Sequence, residues 1–283
     1  MDSAILLISC SDQKGITAAV ANFIYENGGN IEHADQHIDY QTNTFFMRVQ
    51  WSLEDFKISR NNVKKDFLTL AEKFSMKWSL HFSSDRPRVA IFVSRHMHCL
   101  QDILIKNSQN YLSCEIPLVV SNHPAAAKIA REFNIRFCQY RKSPENKIEI
   151  EKKELALLKK EKIEIIVLAR YSQILTRQFV DTYPNRIINI HHSFLPAFIG
   201  SNPYEQAWSR GVKVIGATSH YVTEQLDAGP IIEQDTARIW HRNTLNDLKR
   251  EGQDLERAVL SRALRLHLER KILTYNNKTV VFD

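Results

Sequence analysis

Asn189 and His191 stand one residue apart in the stretch Ile188-Asn189-Ile190-His191-His192-Ser193-Phe194-Leu195-Pro196. Side chains on a strand alternate with period two, so the amide and the imidazole share one face and can address a single atom. Pro196 cannot donate to a sheet ladder, which ends the strand and leaves the histidine at a mouth. A carboxylate, Asp227, arrives on a second segment, Leu226-Asp227-Ala228-Gly229-Pro230. An amide that donates to an oxyanion, an imidazole that moves a proton and a carboxylate that holds water are the parts of an acyl-type reaction.

Positioning these groups calls for a sheet whose strand ends open on a cleft. Apolar runs of strand length fall at 88–94, 115–121, 136–138, 164–169 and 186–190. Helical patterns fall between them, starting at Leu100 and then near 125–133, 145–161 and 176–183. Strands alternating with helices imply parallel crossovers with helices on both faces, a Rossmann-like α/β sheet that takes ligands beyond its carboxyl ends. After His191 the chain runs through 198–203 into a helix ending near Gly211, then strands at 213–222 and 230–239, with Asp227 in their connection. A long helix at 244–273, interrupted around Gly252, and an edge strand at 278–282 close the chain.

The first strand-to-helix turn of this half, Ser94-Arg95-His96-Met97-His98-Cys99-Leu100, contains no glycine. Its backbone therefore cannot approach a phosphate closely, and dinucleotide binding is not expected. The histidines at 96, 98, 123, 191, 192 and 220 match no compact zinc spacing, and Cys10, Cys99, Cys114 and Cys138 form no CxxC pair, so neither a metal nor a disulfide frame is expected. Net charge is +6 over 283 residues, but the basic residues are interleaved with glutamates on helices, as on solvated faces. Nucleic acid is not an expected partner. The start of the chain carries no basic n-region, and no apolar run nears the roughly 18 residues that span a bilayer, so neither export nor a membrane is expected and the expected setting is the cytoplasm.

The first 82 residues read as a separate module. Strand patterns at 2–10, 30–40, 44–51 and 76–82 and helical patterns starting at Ile16 and at 54–74 give the order βαββαβ, a small ferredoxin-like arrangement. The polar segment Ser83-Ser84-Asp85-Arg86-Pro87 has no periodicity. The expected division is 1–83, a linker at 84–87, and 88–283.

The wording of Asn189–Pro196 together with Gly216–Ile232 resembles the folate-dependent formyltransferase superfamily and, within it, the formyltetrahydrofolate deformylase family, along the whole chain. The resemblance implies hydrolysis of 10-formyltetrahydrofolate to tetrahydrofolate and formate, which supplies formate for purine synthesis and balances one-carbon folate pools. It implies Asn189, His191 and Asp227 as catalytic residues, no cofactor beyond the folate substrate, and a folate site formed by Tyr171, Ser172, Gln173, Ile174 and Leu175, with the Ile and Leu against the pterin. Thr223, Glu224, Gln225 and Leu226 would close the other side. The glycine-free loop separates the chain from glycinamide ribonucleotide formyltransferases, although Met97 stands where the deformylase family tends to carry an acidic residue. The alternatives are formyl transfer to an amine acceptor, or a folate- or amino-acid-sensing binding protein.

The N-terminal module resembles an ACT domain, a regulatory unit that binds amino acids between paired copies. By that resemblance Asp12, Gly15, Asn30 and Ile31 are effector-site residues, and a homo-oligomer, dimer or tetramer, is expected. Plain capping of the first helix by Ser11 or Asp12 is the alternative use of that turn. Ser11 replaces the proline usual in the family.

Overall fold

The computed structural model describes residues 2–198 and 202–282; Ile199, Gly200 and Ser201, inside the loop that follows the histidine pair, lie outside the described residues. No helix of the described residues is long and apolar enough to cross a membrane. The chain divides into two compact units, one comprising Met1–Asp85, Glu269–Tyr275 and Thr279–Asp283, the other Arg86–Leu268 and Asn276–Lys278.

The first unit opens with β1 (Ser3–Ser11), α1 (Ile16–Glu26), β2 (Ile31–Asp39), β3 (Thr44–Ser52), α2 (Val63–Lys73) and β4 (Lys77–Phe82). The strands form one sheet in the order β2-β3-β1-β4, antiparallel at each pairing. This is the βαββαβ order read from the sequence. Alternate β1 residues Ala4, Leu6, Ile8 and Cys10 pack against Val20 and Ile24 of α1 and Phe67 of α2. The second helix starts later than its pattern predicts. Residues 54–62 are turns, with Asp55 at φ 60°, and Phe56 packs its ring 5.7 Å from Trp51 instead of extending the helical face.

The larger unit contains β5 (Arg88–Val93), α3 (His98–Ser108), β6 (Glu115–Ser121), α4 (Ala126–Glu132), β7 (Arg136–Gln139), α5 (Lys147–Lys160), β8 (Ile165–Ala169), α6 (Arg177–Thr182) and β9 (Ile187–His191). It ends with α7 (Pro203–Arg210), β10 (Val214–Tyr221), β11 (Ile231–Arg238) and α8 (Leu245–Leu268). Seven strands make one sheet, in the order β11-β10-β9-β8-β5-β6-β7. The five from β9 to β7 run parallel, and β10 and β11 add antiparallel. Both faces are covered, so β5 and β8 are continuous apolar runs rather than alternating ones. The chain order reverses on either side of β5, which puts the ligand crevice beyond the carboxyl ends of β5 and β8.

The helix α8 is one uninterrupted element of 24 residues, a correction to the expected break at Gly252. Thr244 and Asp247 start it with reciprocal bonds, Asp247 N–H to Thr244 Oγ1 at 3.2 Å and Thr244 N–H to Asp247 Oδ2 at 2.8 Å. Gly252 is a contact point: a Cβ there would lie 2.1 Å from the Tyr204 hydroxyl and 2.2 Å from its Cζ. The helix ends at Leu268, and the remaining residues form the hairpin β12 (Ile272–Tyr275) and β13 (Lys278–Val281). Val280 and Phe282 bury themselves against Leu7 and Phe46 of the four-stranded sheet, so the C-terminal strand serves the first unit and not the seven-stranded sheet.

Candidate active site

The strand β9 ends on His191, one residue later than its pattern suggests. Its antiparallel pairing with β10 sets Asn189 opposite His220 and His191 opposite Thr218, so all four side chains leave one face of the sheet. Asn189 Nδ2 lies 3.1 Å from His220 Nε2, and His220 Nδ1 lies 2.9 Å from the Tyr221 carbonyl. A carbonyl only accepts, so the His220 proton sits on Nδ1, and Nε2 is left to accept from the Asn189 amide.

Asp227 closes this group from the loop between β10 and β11. Its Oδ2 is 3.2 Å from His191 Nδ1, and its Oδ1 is 3.6 Å from His220 Nε2. Burial works to raise the Asp227 carboxyl, but the hydrogen bond from His191 outweighs it and holds the group well below the usual carboxylate range. The loop reaches this place through unusual backbone. Asp227 has φ 52°, a left-handed conformation that aspartate tolerates better than most residues. Gly229 passes so close to β10 that a Cβ would sit 1.8 Å from the Tyr221 carbonyl oxygen, while Tyr221 N–H donates to the Pro230 carbonyl at 2.9 Å. Only glycine fits there.

His191 is 5% exposed, with Nδ1 engaged by Asp227 and Nε2 left without a partner among the described residues. An orphaned ring nitrogen in a buried position costs free energy unless a ligand satisfies it. A carboxylate that fixes one ring nitrogen, a second nitrogen left open and an amide on the same strand face are groups that can serve as an acid/base and an oxyanion donor.

Beyond β5 and β8, Ser94 and Ser172 tie the switch point together. Ser94 Oγ donates to Asn122 Oδ1 at 2.7 Å and accepts from Ser172 N–H at 2.9 Å. In the segment Tyr171–Leu175 the apolar residues split: Tyr171 and Leu175 are buried in the core of this unit, whereas Ile174 is 60% exposed. The only carbon surface that Leu175 could offer a ring is therefore taken up by the core, and Ile174 is the exposed apolar residue of that segment. On the facing loop Leu226 is 55% exposed, Thr223 Oγ1 donates to the Gln225 carbonyl at 3.2 Å, and Glu224 meets Arg177 at 3.5 Å. The last contact joins that loop to the first residue of α6, which follows the Tyr171–Leu175 segment. Gln173 has intermediate exposure.

A second cluster, which the sequence did not announce, gathers on α8. Glu256 of α8, wholly buried, lies 2.8 Å from His98 Nε2, accepts from the Tyr204 hydroxyl at 2.5 Å and forms an ion pair with Arg170, whose Nε is 3.1 Å away. Burial would raise its carboxyl, but these three partners bring it below the ordinary value. Glu256, His98 and Cys99 are the one group of described residues with donor atoms close enough to share a cation, all within 4.8 Å. They fit that role poorly. Both glutamate oxygens are committed, a guanidinium stands beside them, and burial pushes the Cys99 thiol well up. His123 is an ordinary turn residue whose Nδ1 accepts from Ala125 N–H at 3.2 Å.

His220 is the residue whose part the sequence left unassigned. Its signal was the same period-two logic: it lies on the strand that pairs with the Asn189 strand, seven residues before Asp227. Which residue of that strand faces Asn189 depends on register, which only the folded sheet reveals. The effector residues of the first unit fall in two places. Asp12 and Gly15 follow the carboxyl end of β1, Gly15 opening α1 at φ 92°, whereas Asn30 and Ile31 lie at the strand end paired with Trp51 and Ser52. One copy does not bring them together.

Comparison with known proteins places these features. Residues 87–264 match the family model described as formyl transferase, and residues 4–53 match the ACT domain model. The chain is 55% identical over 280 residues to the formyltetrahydrofolate deformylase of Synechocystis sp., covering 99% of this chain and 98% of that one. It is 47% identical over 283 residues to that of Bacillus subtilis, covering 100% and 94%. The crystal structure of a formyltetrahydrofolate deformylase from Pseudomonas syringae pv. tomato superposes with a TM-score of 0.98 at 42% identity, covering 100% of this chain and 95% of the other.

Proposed function

The chain belongs to the formyltetrahydrofolate deformylase family and hydrolyses 10-formyltetrahydrofolate to tetrahydrofolate and formate, and we propose that Asn189, His191 and Asp227 carry that reaction, with His220 orienting them. The observation that carries the assignment is the open, buried Nε2 of His191, on the strand face that also carries the Asn189 amide, with Asp227 fixed on the other ring nitrogen. Water attacks the formyl carbon and gives up a proton to His191 Nε2, and the carbonyl oxygen gains charge that Asn189 and the now protonated His191 ring stabilise. Asp227 holds the ring in the tautomer that presents Nε2 and orients the water. The C–N bond then breaks, N10 takes a proton by way of His191, and formate leaves. An oxyanion donor and a positioned acid/base each contribute about 10²–10³-fold to such a step.

The pterin is read into the cleft between Tyr171–Leu175 and Thr223–Leu226, where Ile174 and Leu226 offer apolar surface and main-chain groups offer hydrogen bonds. The acyl carrier is the substrate itself, so the scheme needs no resident cofactor. Formate so released feeds purine synthesis and resets the one-carbon folate pool. An amino-acid effector at Asp12, Gly15, Asn30 and Ile31 requires a second copy, because one copy holds those residues at two ends of its sheet, and a dimer or tetramer follows from that reading. A cytoplasmic setting agrees with four cysteines that are all unpaired.

The test is formate release by purified protein without any amine acceptor. Turnover that Asp227→Ala abolishes while tetrahydrofolate binding persists supports the assignment; near-normal turnover by Asp227→Asn would sink it.

A further inference from the structure

Beneath the folate loop lies a charged cluster that the reaction does not use. Lys142, between β7 and α5, is 1% exposed; Glu154 and Glu151 on α5 are 0% and 3% exposed in their side chains. The two glutamates are three residues apart and therefore share one helix face. Lys142 Nζ is 2.8 Å from Glu154 Oε2 and 3.5 Å from Glu151 Oε1. One cation thus serves two carboxylates in a buried site.

This cluster holds the loop Tyr171–Leu175 at both ends. Glu151 Oε2 accepts from the backbone N–H of Thr176 at 3.1 Å and from its hydroxyl. Thr176 is the residue that ends the loop and caps α6. At the other end Lys142 Nζ stands 5.4 Å above the Tyr171 ring. The loop has no regular structure of its own, so these contacts and the Ser94–Ser172 bond fix its shape.

We propose that Lys142, Glu151 and Glu154 form a buried positioning device for the folate loop, and that the ionisation of Glu154 loosens or tightens its grip. The proposal rests on the reading that Tyr171–Leu175 receives the substrate. The groups facing Glu154 are Lys142, Glu151 of its own helix, the Tyr171 hydroxyl and Tyr140 beyond β7. One outcome of that company is visible: Glu154 Oε1 and the Tyr171 hydroxyl are buried and lack a hydrogen-bond partner. Burial raises the Glu154 carboxyl to about 7, against the pull of Lys142 and with Glu151 adding to the rise. Below that pH Glu154 is neutral, Lys142 neutralises Glu151, and the loop is held by a balanced pair. Above it two carboxylates compete for one ammonium, and Glu151 loses part of its counter-charge. Substrate should therefore bind more weakly as pH rises through 7.

Steady-state formate release by the full chain, from pH 6 to 8, tests this together with thermal unfolding. Glu151→Ala is expected to raise KM for 10-formyltetrahydrofolate about tenfold with kcat within about twofold, the scale of one lost buried hydrogen-bonded contact. Glu151→Gln, which can still accept from Thr176, restores most of that loss. Glu154→Gln, an isosteric and permanently neutral replacement, removes the rise in KM with pH. A lowered melting temperature with unchanged KM in Glu151→Ala, or a parent-like KM profile in Glu154→Gln, overturns the proposal; the second readout stands even where Glu151→Ala fails to fold. Ile174→Ala separates the two ideas. If it raises KM while Glu151→Ala does not, only the positioning role fails; if it leaves KM unchanged, the folate reading of the loop fails.

Discussion

Asn189 and His220 are directly opposed residues on β9 and β10, and their side chains meet, amide nitrogen to ring nitrogen, at 3.1 Å. The pairing makes the amide an oriented donor. Bound to Nε2 through one hydrogen, Nδ2 keeps its second hydrogen for the cleft. The far side of the His220 ring is locked by the Tyr221 carbonyl, so its tautomer cannot change without breaking the 2.9 Å bond.

That relationship predicts a kinetic effect at a residue remote from the bond that breaks. His220→Phe keeps a ring but leaves the Asn189 amide unheld and Asp227 without its second neighbour. A misplacement of catalytic groups by about 1 Å costs on the order of 10²-fold. The expected result is a kcat lowered by that factor with KM changed far less, measured by formate release.

Asp227→Asn replaces the charge that holds the His191 ring by a neutral amide of the same shape. We expect kcat lowered by about 10²–10³-fold, with tetrahydrofolate binding retained in a calorimetric titration. Because the carboxyl is held well below its usual range, it stays ionised as pH falls through 4. An acid limb in the rate profile above pH 4 therefore belongs to another group, and Asp227→Asn should lower the height of the profile.

Gly229→Ala tests the loop that carries the aspartate. Its new methyl would overlap backbone of β10, the Tyr221 carbonyl oxygen, which has no freedom to swing aside. The loop must move, at a cost of about 1–3 kcal/mol. Loss of at least 10²-fold in activity with the sheet intact by circular dichroism is the expected pattern.

Acid stability follows from His192. Burial, with help from the Arg170 charge, lowers its ring to about 3, so the folded chain refuses a proton that the unfolded chain accepts from about pH 6.5 downward. Between those values the unfolded state binds more protons, and stability falls as pH falls. Melting temperatures of the protein and of His192→Asn across pH 4–7 should converge at the acid end, since the variant lacks this proton uptake. Glu154, raised to about 7, acts with the opposite sign between its ordinary value of 4.5 and 7, and the difference between the two proteins removes it.

How much of this was legible beforehand varies by residue. Asn189 and His191 declared themselves because strand alternation is local: two polar side chains at period two in an apolar run share a face in any sheet. The βαββαβ order of the first unit and the alternation of strands and helices in the second were likewise written in hydrophobic period and turn residues. The start of α2 was not, because Phe56 has the right spacing for a helix and only the Trp51 ring shows what it packs against. Gly252 read as a helix break on propensity alone, and the structure shows why propensity lost: the missing Cβ makes room for Tyr204, whose hydroxyl reaches Glu256.

Sequence alone determined the elements, the chemical types at the strand ends and the kinship that names the reaction. Tertiary structure decided everything that depends on register and long-range approach: His220 opposite Asn189, Asp227 against His191 across 35 intervening positions, Glu256 gathering His98, Arg170 and Tyr204, and Glu151 bound to Thr176 at the end of the Tyr171–Leu175 loop. The physical reason is the range of the interactions. Period and propensity are set by neighbours a few residues away, whereas a buried carboxylate chooses its partners only once the packed sheet and helices have excluded water around it.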